Sequence, residues 1–158
     1  MRISFVLNGE SVVVEADPAR RAVDLLREDL GFTGVKEACG TGECGACTIL
    51  VDGESRLSCL MLAPQLEGKT VTAVTGEERE EPDLTDIQES FVAHGAVQCG
   101  FCTPGMVLAV SDLLRREPEP DRARIREAIS GNLCRCTGYQ KIVDAVEAVV
   151  KRRGGGVR

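Results

Sequence analysis

The sequence predicts an α+β chain built as two successive units, a sheet-and-helix unit followed by an all-helical one. Three observations carry this. In the first half, apolar residues alternate with polar ones between tight-turn dipeptides. From about residue 84 they recur at helical spacing instead. All eight cysteines of the 158-residue chain fall into two quartets, one in each unit.

Ile3, Phe5 and Leu7 alternate with polar neighbours, Asn8-Gly9 is a strong hairpin turn, and Val12 and Val14 resume the alternation. Asp17-Pro18 reads as an N-cap with proline at the first helical position. Val23, Leu26 and Leu30 then supply an apolar face, and Gly31 stands where a C-terminal cap belongs. After a Gly-rich loop, Thr48 to Val51 reads as a strand, Asp52-Gly53 as a turn and Arg56 to Cys59 as its partner. A short helical stretch from Leu60 to Leu66 and a strand from Thr70 to Val74 complete the unit. The order of hairpin, helix, loop, hairpin and final strand suggests a sheet curled over one helix, as in the β-grasp ferredoxins.

Composition changes over 76–83, a charged, proline-containing stretch without periodicity. It is read as a linker at 77–83 between domains 1–76 and 84–158, with a solvated loop inside one domain as the alternative. Thr85-Asp-Ile-Gln88 resembles a capping box that opens a helix burying Ile87 and Phe91 and stopping at Gly95. Thr103-Pro104 restarts the chain as N-cap and first helical residue, with Val107, Val110, Leu113 and Leu114 inward. A third helix carries Ile125, Ala128 and Ile129 and ends at Gly131. The fourth runs from about Tyr139 to Lys151, and residues 153–158 read as a frayed tail. Four amphipathic helices with short connections form a four-helix bundle.

The net charge of −6 argues against a nucleic-acid partner, and the spread of Asp and Glu reads as a solvated acidic surface. No run approaches the ~18 apolar residues of a membrane span. The N-terminus lacks the apolar region and cleavage site of a signal peptide. Arg20-Arg21 lies too far in to serve as a twin-arginine signal. A cytoplasmic location is expected, where paired cysteine motifs favour metal or redox chemistry over disulfides. Aromatic residues make up only 3% of the chain, so two thin cores would each gain from a metal staple.

The first quartet reads Cys39-Gly-Thr-Gly-Glu-Cys44-Gly-Ala-Cys47, with Cys59 one hairpin later. C-x4-C-x2-C with a distal fourth cysteine is the plant-type [2Fe–2S] spacing. Four thiolates must wrap a small inorganic core, and Gly40, Gly42 and Gly45 let the backbone turn tightly and bring N–H groups to sulfur. The second quartet, Cys99-Gly-Phe-Cys102 and Cys134-Arg-Cys136, sits in two inter-helix loops that can meet at one end of a bundle. Alone it suits a structural zinc site almost as well as an iron–sulfur core, although C-x-C is less usual for zinc; disulfides are a distant third. Arg135 between two of these cysteines either adds positive field or is an exposed charge. His94, the only histidine, reads as a helix-end side chain, because a Rieske-type centre needs two.

Two longer stretches carry a resemblance. These are the Cys39–Thr48 loop, and Gln98-Cys-Gly-Phe-Cys-Thr-Pro-Gly105 taken with Gly131-Asn-Leu-Cys-Arg-Cys-Thr-Gly-Tyr139. Together they closely resemble the iron–sulfur subunit of the molybdenum hydroxylases, the xanthine dehydrogenase and aerobic carbon monoxide dehydrogenase family. The resemblance runs from about residue 2 to 151. Cys59 follows Cys47 by one hairpin, unlike ordinary plant ferredoxins, and that departure is the family's own. The resemblance implies a β-grasp 2Fe-2S ferredoxin-like domain and a four-helix-bundle 2Fe-2S domain. Cys39, Cys44, Cys47 and Cys59 would ligate the first [2Fe–2S] cluster, and Cys99, Cys102, Cys134 and Cys136 the second. It also implies a large partner subunit holding molybdopterin, contacted by Gln98 and Cys136, and a flavin (FAD) subunit or other acceptor. A plain polar helix-end role for Gln98 is the alternative. The chain has neither a molybdenum domain nor a Gly-rich dinucleotide fingerprint, so no substrate turnover is expected from it alone. A freestanding electron shuttle and a zinc-stabilised interaction module are the competing readings.

Overall fold

The computed structural model describes residues 1–74 and 82–154. In the first stretch the elements are β1 (Arg2–Leu7), β2 (Glu10–Glu15), α1 (Ala22–Asp24, continuing as one π-helical turn Leu25–Asp29), β3 (Thr48–Val51), β4 (Glu54–Leu57) and β5 (Thr70–Thr72). In the second they are α2 (Pro82–Ala93), α3 (Thr103–Arg116), α4 (Arg122–Ala128) and α5 (Gln140–Gly154). The five strands form one mixed sheet in the order β2-β1-β5-β3-β4. β1 runs parallel to β5, and the two hairpins are antiparallel. Ile3, Phe5 and Leu7 face Val23, Leu26, Ile49 and Val71 in a core under α1. This is the expected curled sheet over one helix.

α2 to α5 enclose the second core, built on Ile87, Phe91, Met106, Val110, Ile125, Ile142 and Val146. Leu50 of β3 belongs to this core, not to the first. All four β3 residues are buried because α1 lies over one face of the strand and α3 over the other. That explains why Thr-Ile-Leu-Val reads as a continuous run and not an alternating one.

Several boundaries differ from expectation. Asp17 accepts the Ala19 N–H at 2.7 Å and so caps a turn, and α1 begins only at Ala22. The reason is that Arg20–Ala22 stays extended to pair with Met61–Ala63, through Ala22 N–H to Met61 O and Ala63 N–H to Arg20 O. The same pairing splits the expected 60–66 helix into two 3-10 turns, Ser58–Leu60 and Ala63–Leu66. β4 starts and ends two residues earlier than read, leaving Cys59 on the first of those turns. Gly31 takes φ +74°, as its capping position requires. Thr85 lies inside α2 and not at its cap; Pro82, which has no N–H to leave unpaired, opens that helix. The cap of α3 is Cys102, one residue before Thr103. α5 starts at Gln140, because Tyr139 is left-handed at φ +67°. Most of the 77–83 linker and the tail beyond Gly154 lie outside the described residues.

The two units meet in direct contact. Asp112 of α3, buried, accepts the Ser55 N–H at the exposed edge of β4 at 3.0 Å and also binds Arg116. Asn132 donates to Gly45 O at 3.0 Å and to Thr48 Oγ1 at 3.3 Å. Among the described residues no helix is long and apolar enough to cross a membrane.

Candidate metal centres

Three cysteines of the first quartet lie where the 36–47 loop passes from α1 into β3, and Cys59 joins them from the turn after β4. Arg21 ties the start of that loop to the helix by bonding Asp24 and Glu37, with Arg21 Nη1 to Glu37 Oε1 at 2.6 Å. Both members of the Arg20-Arg21 pair are thus engaged in internal ion pairs, Arg20 with Glu28 and Asp29. Gly40, Gly42 and Gly45 all take positive φ, between +64° and +82°. The loop folds back so that Thr41 N–H and Cys44 N–H both reach Cys39 Sγ at 3.4 Å. Those two donors pull the Cys39 thiol down to about 6. On the inner side, Ser58 donates its hydroxyl to Cys47 O at 2.7 Å, which seats Cys59 against Cys47. Both are buried. Burial pushes the Cys47 thiol up to about 11, with the Cys59 thiol beside it.

The second quartet lies where the α2–α3 and α4–α5 loops meet. Cys99 and Cys136 are exposed, Cys102 and Cys134 half-buried. Burial and the Cys134 thiol push Cys102 up to about 12. At Cys134 burial works upward too, but Thr137, whose Oγ1 lies 3.1 Å from Sγ, brings it down. Cys136 is raised by its contact with Cys99. Gln98 is exposed next to Cys99, Arg135 is exposed, and His94 binds Ser90 O at the end of α2.

In the first quartet the Cys47 thiol lies against that of Cys59, and in the second Cys102 lies against Cys134 and Cys99 against Cys136. Among the described residues no three His, Cys, Asp or Glu side chains converge on a single-ion position. Pairs of thiols with N–H and O–H groups aimed at sulfur fit a binuclear iron–sulfur core, which takes two thiolates per iron. The all-thiol donor set is correspondingly soft. A bound metal ion supplies the positive charge that holds such raised thiols as thiolates.

Spacing did not reveal the bridge between the two loops. Leu133 N–H donates to Cys44 O at 2.8 Å, so a residue of the first quartet touches the neighbour of a residue of the second. Asn132, 87 positions from Gly45, braces that contact. Pairing over so long a separation leaves no local pattern.

A 2Fe-2S iron–sulfur cluster binding domain family matches residues 5–76, and a [2Fe-2S] binding domain family matches residues 70–147. The nicotinate dehydrogenase small FeS subunit of Eubacterium barkeri is 48% identical over 151 residues, covering 95% of each chain. The xanthine dehydrogenase iron-sulfur-binding subunit of Escherichia coli O157:H7 is 45% identical over 146 residues, covering 91% of each. In the crystal structure of quinoline 2-oxidoreductase from Pseudomonas putida 86, one chain superposes with a TM-score of 0.90 at 46% identity, covering 99% of this chain and 97% of that one. With a cluster domain matched in each half and small iron–sulfur subunits alike from end to end, the chain belongs to the iron–sulfur subunit family of the molybdenum hydroxylases, as the electron-transferring, non-catalytic member of an oxidoreductase.

Proposed function

We propose that Cys39, Cys44, Cys47 and Cys59 hold one [2Fe–2S] cluster and Cys99, Cys102, Cys134 and Cys136 the other, in domains 1–76 and 84–158. When bound, the clusters supply one-electron carriers. The observation that carries the relay is the Leu133 N–H to Cys44 O hydrogen bond. It joins the two quartets through one peptide unit on each side. Gly40, Gly42 and Gly45 shape the first cluster's loop, and Asn132 holds the second loop against it.

Exposed apolar side chains beside each quartet support a direction of flow. Cys99, Cys136 and Gln98 lie at the surface, flanked by the exposed apolar side chains of Phe101 and Leu133. We assign this face to a large subunit carrying molybdopterin, with Gln98 and Cys136 turned to the pterin. Beside the first quartet, Leu60 and Leu62 are exposed, and they suit a medium FAD subunit. Electrons then enter at the second quartet and leave at the first. The assembly is a cytoplasmic heterotrimer, with dimerisation of that trimer compatible with this arrangement.

Purification of the tagged chain from its host with its partners tests the reading. About four irons per chain and about one molybdenum per complex are expected for two clusters and one pterin site. Iron without molybdenum or large partners would favour a freestanding shuttle. Zinc in place of iron, giving a colourless protein, would overturn both redox readings.

A further inference from the structure

Backbone N–H groups meet sulfurs in both quartets, those of Thr41 and Cys44 at Cys39 and those of Cys136 and Thr137 at Cys134. At Cys134 a hydroxyl joins them, that of Thr137, 3.1 Å from Sγ. Its surroundings decide which atom donates. Thr137 Oγ1 already accepts the Tyr139 N–H at 3.2 Å, and a metal-bound cysteine is a thiolate with no proton to give. The hydroxyl proton is therefore directed at sulfur. Tyr139 fixes the same turn from its other end, because its phenolic oxygen accepts the Cys134 N–H at 2.8 Å. It does so at φ +67°, a left-handed backbone that L-residues disfavour. The turn is thus held from both ends around one O–H to sulfur contact.

We infer that Thr137 is a positioning residue for electron transfer: its hydroxyl, donated to Cys134 Sγ, raises the reduction potential of the second cluster. The inference rests on the assignment of the second quartet to a [2Fe–2S] cluster. Reduction adds one electron to the iron–sulfur–thiolate unit and neither makes nor breaks a bond. The added negative charge spreads onto the thiolate sulfurs. A hydrogen bond to one of them stabilises the reduced state more than the oxidised state. The first cluster, whose sulfur donors lie on residues other than 137, serves as the internal reference.

Thr137→Val removes the hydroxyl at nearly constant volume, and Thr137→Ser keeps it. Each variant, purified with its partner subunits, is titrated with dithionite while the two cluster signals are followed by EPR. The expected result is a lower midpoint for the second cluster in Thr137→Val, its recovery in Thr137→Ser, and an unmoved first cluster throughout. An unchanged second midpoint at full iron content would overturn the inference, as would equal shifts in both clusters. Where Thr137→Val loses the second cluster, Thr137→Ala repeats the comparison; loss from both, with Thr137→Ser intact, marks the hydroxyl as a retention device and overturns the tuning role. Wild-type protein with about two irons per chain and one EPR species would instead overturn the cluster assignment beneath it.

Discussion

Gly45 is constrained both by its backbone conformation and by what packs against it. Its φ is +71°, and a Cβ there would overlap the Gly131 carbonyl oxygen and come within 2.9 Å of the Asn132 Cα. Gly68 provides a natural contrast, with φ +68° and nothing within 4 Å of a Cβ. Alanine at either position pays about 1–2 kcal/mol for the left-handed backbone, but only at Gly45 must backbone also move. Gly45→Ala is expected to lower the melting temperature well beyond the few degrees caused by Gly68→Ala, and to loosen the Leu133–Cys44 contact. Equal melting shifts in the two variants would show that the close approach carries no stability. Spacing alone pointed to Gly45 as a loop glycine. Its second role, as the flat spot on which the other loop rests, depends on Gly131 and Asn132 and is invisible locally. Tyr139 was misread for a related reason. Its apolar ring fits the helical period, but its hydroxyl is needed by Cys134 N–H, and meeting that need takes it out of the helix.

At the scale of elements, the strands and bundle helices were legible because their periodicities are set by burial on one face. The errors cluster where distant segments pair. Arg20–Ala22 against Met61–Ala63 displaced one helix start and split another, and neither segment announces the other. The α3–β4 clasp belongs to the same class. Burial works to raise Asp112, but the Ser55 N–H and Arg116 hold its carboxyl below the usual range. A carboxyl depressed on folding stabilises the native state fully above its unfolded value of about 3.9, and that contribution is lost as pH falls through the lower folded value. Asp112→Asn is therefore expected to cost about 1.5–3 kcal/mol at neutral pH. The deficit should shrink as pH drops below about 4. Urea unfolding midpoints across that range provide the check, and a deficit independent of pH would assign the effect to shape and not charge.

At the scale of the molecule, two cluster domains are fused through β3, whose Leu50 fills the helical core while Ile49 fills the other. The neighbouring thiols Cys47 and Cys59, Cys102 and Cys134, and Cys99 and Cys136 all fall within the division into quartets that spacing suggests. The contact between the quartets was not legible, because it is made by backbone atoms that every residue possesses.

Cys47 and Cys59 lie beneath the surface at 3% and 4% exposure, with only Cys39 of their quartet exposed. Cys99 and Cys136 are open, and no cysteine of the second quartet is fully buried. This asymmetry sets an order of maturation. Iron and sulfide can reach the second quartet of a finished fold, but the first must be filled while its loop still stands away from the bundle, or after the chain has breathed open. Reconstitution of the folded apo chain is expected to load the second quartet first, with mild urea speeding only the first. Simultaneous loading would show that the seal is leaky. A tight seal obliges the cell's assembly machinery to meet this subunit before it closes on itself, and before any partner covers the remaining door.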